Sequence, residues 1–142
     1  VEIWKGENVS MPKYNLTWHE TDARLLEALL LATADESGAT LQDVLLMADA
    51  VDGTVFTLPE VEEALEKLVA GSVVHIRKNK LLLAPEFLQA YAPIAGAANE
   101  PEQLLQLLQT HPLTEQSITT ARDILKKYKL KNHYQQYMEQ FG

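Results

Sequence analysis

The chain has 142 residues, 46% of them hydrophobic, a formal net charge of −8 and no cysteine. That supply of apolar side chains suits one domain with an appendage, or two very small domains. The lack of cysteine removes disulfides, thiolate metal sites and cysteine nucleophiles. The longest apolar run, residues 28–32, is far too short to cross a bilayer, and the N-terminus lacks the basic-then-apolar order of a signal peptide, so a soluble, cytoplasmic protein is the default expectation.

Residues 1–15 read as an N-terminal arm. Residues 1–10 precede Met11 and are either a native strand ("VEIW") or sequence foreign to the protein; no function is assigned to them. Three helix starts then share one device. "TWHE" (Thr17, Glu20), "TLQD" (Thr40, Asp43) and "TLPE" (Thr57, Glu60) each place a threonine three residues before an acid. The hydroxyl accepts from a free N–H of the first turn, and the acid reaches back to the threonine N–H. The first helix is expected over residues 17–34, with Trp18, Leu25, Ala28, Leu29 and Ala32 on one face and "DESG" as its stop. The second is expected over residues 40–51, with Leu41, Val44, Leu45 and Ala48 inward and Leu46, Met47, Ala50 and Val51 off the main stripe. The third is expected over residues 57–70. Its Val61, Ala64, Leu65, Leu68 and Val69 fall on one helical face, Pro59 lies in the first turn, and Gly71 is expected to cap it at positive φ.

After the third helix the period changes. "SVVHI" is β-branched, "RKNK" is a polar turn, and "LLLA" is a second apolar run stopped by Pro85, which together predict a β-hairpin. The remainder reads as helical: "PEFLQAYA", a Pro/Gly/Ala-rich linker "PIAGAANEP", "PEQLLQLLQTH", a helix opening at Thr114 with Ile118, Ala121, Leu125 and Tyr128 on one face, and "NHYQQYMEQF". Three helices and a hairpin in this order resemble the winged-helix family over residues 16–84, with "LPEVEEALEKLVAGSVV" and "HIRKNKLLL" as the core of the likeness. The expected architecture is therefore mainly α with a small β-hairpin: a winged-helix three-helix core, then a helical extension over residues 85–142 that packs on the core or builds a dimer.

The resemblance implies a third helix in the DNA major groove and a wing on the phosphate backbone, and the charge pattern argues against the first. Residues 1–73 hold fourteen acids against four bases, whereas residues 74–142 hold six acids against eight bases. The third helix presents Glu60, Glu62, Glu63, Glu66 and Lys67 as its expected outward side chains, a face that repels phosphates and carries none of the arginines, asparagines or glutamines that read bases. The apolar Leu46, Met47 and Ala50 of the second helix, with Glu62, Glu63 and Glu66 of the third, are the candidate protein-interaction residues. The alternative is DNA binding through the wing (His75, Arg77, Lys78, Lys80) and the basic segment "RDILKKYKLKNHY" (Arg122, Lys126, Lys127, Lys129), where cations alternate with tyrosines. A further reading of the same charges docks that basic segment on the acidic third helix, in this chain or a neighbouring one.

No pattern points to catalysis or a cofactor. The four histidines, His19, His75, His111 and His133, are dispersed, "HETDA" lacks a second histidine one turn on, and no serine sits in a Gly-x-Ser-x-Gly turn. The expectation is a non-enzymatic module without metal, cofactor, membrane span or small-molecule ligand. Its partner is a protein or a second copy of itself, with DNA the disfavoured alternative.

Overall fold

The computed structural model describes residues 15–33 and 38–141. The arm up to Tyr14, the predicted end of the first helix at Ala34 and most of the "DESG" stop lie outside them. Among the described residues the chain is mainly helical, with one antiparallel hairpin. In order it forms α1 (Glu20–Ala32), α2 (Leu41–Asp52), α3 (Leu58–Ala70), β1 (Val74–Arg77), β2 (Lys80–Leu83), α4 (Pro85–Tyr91), a single 3-10 turn (Ala92–Ile94), α5 (Glu100–Gln109), α6 (Glu115–Tyr128) and α7 (Leu130–Phe141). No helix among them is long and apolar enough to cross a membrane.

Of the three predicted caps, the one at α3 forms in both its parts and the one at α2 through its hydroxyl. Thr40 Oγ1 accepts from the Asp43 N–H at 3.1 Å. At α3 the Glu60 N–H donates to Thr57 Oγ1 at 3.3 Å, and the Thr57 N–H donates to Glu60 Oε1 at 2.8 Å. The first cap is corrected by two residues: His19, not Thr17, precedes α1, and its N–H donates to Asp22 Oδ2 at 2.7 Å. The cause is tertiary. Trp18 must tuck into the core, where its indole N–H donates to the His111 carbonyl at 3.0 Å, and the Thr17 carbonyl accepts from Lys67 Nζ at 2.9 Å. A helix beginning at Thr17 would point both elsewhere.

Trp18 also explains a second correction. Gly71 ends α3 with φ −81°, not with positive φ; the left-handed residue is Ser72, at φ 62°. What position 71 requires is the absence of a side chain: a Cβ there would stand 3.0 Å from the Trp18 ring. The glycine makes room for an indole, and the chain reversal falls one residue later.

The hairpin pairs Val74 with Leu83, His75 with Leu82, Ile76 with Leu81 and Arg77 with Lys80. Its loop is only Lys78 and Asn79, both at positive φ (53° and 63°), the geometry that suits the right-handed twist of the flanking strands. Ala39, in the connection between α1 and α2, bridges to the outer side of β2: its N–H donates to the Leu81 carbonyl at 3.0 Å and its carbonyl accepts from the Leu81 N–H at 2.8 Å.

One hydrophobic core runs through both halves of the chain. It joins Leu25, Leu29, Leu41, Leu65, Leu68 and Leu81 to Phe87, Leu104, Leu108, Tyr128 and Tyr137. Helix α5 packs on α1, α6 on α3 and α7 on α2, so residues 85–141 cover the three-helix core. The apolar side chains of this extension are largely used here: Leu104 and Leu108 are fully buried and Leu105 and Leu107 half-buried, whereas Met138 and Phe141 at the end of α7 remain exposed.

Candidate interaction surfaces

The acidic face of α3 is organised by two cations, one of which sequence periodicity puts on the wrong side. Lys67, expected outward, is completely buried. Its ammonium meets Asp22 Oδ2 at 2.6 Å, the Thr17 carbonyl at 2.9 Å and Glu63 Oε2 at 3.5 Å. Three donors thus face three oxygens, which is what makes a buried ammonium tolerable. Burial pushes the Asp22 carboxyl above its ordinary range, opposed by the hydrogen bond from Lys67 and by the His19 N–H. The correction has a geometric reason. Position 67 flanks the apolar stripe on the side of Ala64, and α1 closes over that flank with an acid in its own first turn.

On the other side of α3 lies α6. Its apolar face, Ile118, Ala121, Leu125 and Tyr128, is buried, and Arg122 Nε donates to Glu66 Oε2 at 2.7 Å. The predicted docking of the basic segment on the acidic helix is thus observed within the chain, through this residue. Of the α3 acids, Glu62 and Glu66 are half-buried, while Glu60 and Glu63 are exposed.

Where α6 turns into α7, at Lys129 with φ 62°, a cavity of about 560 Å³ opens. Glu62 and Glu66 of α3 line it together with Arg122, Lys126, Lys129 and Lys131 of the α6–α7 turn; Leu125 and Leu130 also border it but are themselves buried. Lys126, Lys127, Lys129 and Lys131 are all exposed, but Lys127 does not line the cavity. The tyrosines of this segment do not offer free rings. Tyr128 is buried and stacks on His133 at 4.5 Å, and the half-buried Tyr134 donates its hydroxyl to the Phe56 carbonyl at 2.7 Å.

The hairpin borders a different and larger groove, about 710 Å³, between α1, the hairpin and α4. Its apolar lining includes Leu30, Leu31, Leu82, Leu83 and Leu88, and His75, Arg77, Glu27 and Glu100 bring charge to it. At one end the Tyr91 hydroxyl donates to Glu100 Oε2 at 2.6 Å and the Gly96 N–H to Glu100 Oε1 at 2.8 Å, so this carboxylate pins the linker after α4. Burial and Glu100 together push the Tyr91 hydroxyl up to about 12.

The candidate residues therefore fall into separate places. Arg77, Lys78 and Lys80 are exposed at the hairpin tip, and His75 is exposed on β1. Arg122, Lys126 and Lys129 line the α6–α7 cavity, which shares no residue with the hairpin groove. On α2, Leu46 and Met47 are half-buried and Ala50 is exposed, with Leu46 packed against the core. Two features escaped the sequence reading altogether: the internal Lys67–Asp22 pair, and the clamp in which Trp18 donates to the His111 carbonyl while the His111 ring meets the Gly71 carbonyl at 2.9 Å. The only hint of the first is that Lys67 is the one cation beside the four acids of that helix, one turn after Glu63.

No cluster of three or more histidines, aspartates and glutamates capable of holding a metal ion occurs among the described residues. Comparison with protein-family models, with curated proteins and with solved structures finds no match to this chain.

Proposed function

We propose that this chain is a non-enzymatic, winged-helix-like module that mediates protein–protein contact or assembly, and that its third helix does not read DNA. One observation carries the reading: α6 lies on α3, with its apolar face buried and Arg122 joined to Glu66 at 2.7 Å. A helix that enters a major groove must present a free outer face. Here part of that face is occupied by the chain itself, and what remains exposed is led by Glu60 and Glu63, which add repulsion from phosphates and remove the attractive part of nucleic-acid binding. Support for a winged-helix likeness comes from the helix order, from the hairpin that follows α3 directly, and from the Ala39–Leu81 rung that ties the α1–α2 connection to it. The partner is another protein or a second copy of this chain.

Fluorescence anisotropy with labelled mixed-sequence duplex DNA tests the proposal. No saturable binding is expected near micromolar protein at low salt. A steep, salt-dependent isotherm there overturns it and favours the second reading, in which the exposed Arg77, Lys78 and Lys80 of the hairpin tip touch the phosphate backbone. Loss of that isotherm in Arg77→Glu/Lys80→Glu would then locate the contact.

A further inference from the structure

We draw no further inference here: the strongest candidate, the apolar groove between α1, the hairpin and α4 lined by Leu31, Leu82 and Leu88, carries nothing because nothing in the structure shows what covers it.

Discussion

Lys67 and Arg122 each bring a cation to a carboxylate at the border of α3, and the two contacts are built on opposite terms. The first sits between α3 and α1 with both side chains essentially out of water, 0% and 1% exposed. The second sits between α3 and α6 with Arg122 38% exposed and Glu66 17% exposed. In the first joint, charge lies inside the packed interface and neither ion can turn to solvent. In the second, burial of Ile118, Ala121, Leu125 and Tyr128 does the holding, and the ion pair lies at the edge. The difference teaches that the polarity of a residue says little about the weight it carries in a joint; its access to water decides that.

The largest expected effect comes from breaking the inner pair. Lys67→Met should cost about 3–5 kcal/mol of unfolding free energy, because Asp22 is left charged and buried. Adding Asp22→Asn should restore most of the loss, since the amide oxygen still accepts from the His19 N–H and no charge remains. Urea titrations of the two variants against the parent measure both. A pH dependence follows from the direction of the Asp22 shift. Its folded carboxyl binds a proton more readily than the unfolded one, whose pKa is near 3.8. The folded state therefore gains on the unfolded state as pH falls through the raised value, and the Lys67→Met deficit should be full at neutral pH and shrink in acid. A deficit under about 1 kcal/mol, or one that is flat with pH, would place the weight of the joint in its apolar contacts instead.

Helices α2 and α3 were legible because their signals are local: a threonine, an acid three residues on, and a single apolar stripe. The hairpin was legible for the same reason, and so was the buried face of α6. What the sequence did not carry are the choices made by distant partners. The start of α1 shifts because Trp18 is claimed by His111, ninety-three residues away, and Gly71 is a glycine for the sake of that indole, not for its own dihedral angle. Lys67 was misplaced because a helical wheel treats a lysine as outward and has no means of knowing that another helix brings Asp22 to meet it. Among the candidate site residues, the pairing of the basic segment with α3 was among the expectations, but its reduction to one arginine depends on how far α6 slides along α3.

Tyr128 sharpens the comparison from the α6 side. Burial pushes its hydroxyl up to about 12, and the group faces the Leu41 backbone without a bond of good geometry. An unfolded tyrosine ionises near pH 10. Between about pH 10 and about pH 12 the unfolded chain gives up this proton while the folded chain retains it, so stability should fall by up to about 3 kcal/mol from this residue. Tyr128→Phe should remove that loss and change neutral-pH stability by less than about 1 kcal/mol, since no good hydrogen bond is given up. Urea midpoints at about pH 8 and about pH 11 for parent and variant isolate the effect; the elevated Tyr91 hydroxyl contributes equally to both chains and cancels. An alkaline loss undiminished in Tyr128→Phe would mean that α6 is not held down by the burial of its apolar face.

The smallest expected effect is the most direct probe of the outer joint. Arg122→Ala should cost no more than about 1 kcal/mol, because a partly exposed pair gains little over its hydrated parts. It should also leave α6 seated, which limited proteolysis can read. The segment between α5 and α6 should be cut no faster in the variant than in the parent, since Ile118, Ala121 and Leu125 still have their places in the core and its margin. A cost above about 2 kcal/mol, or accelerated cleavage ahead of Thr114, would show that the outer pair holds α6 in the way the inner pair holds α1, and the two joints would have to be counted as one kind.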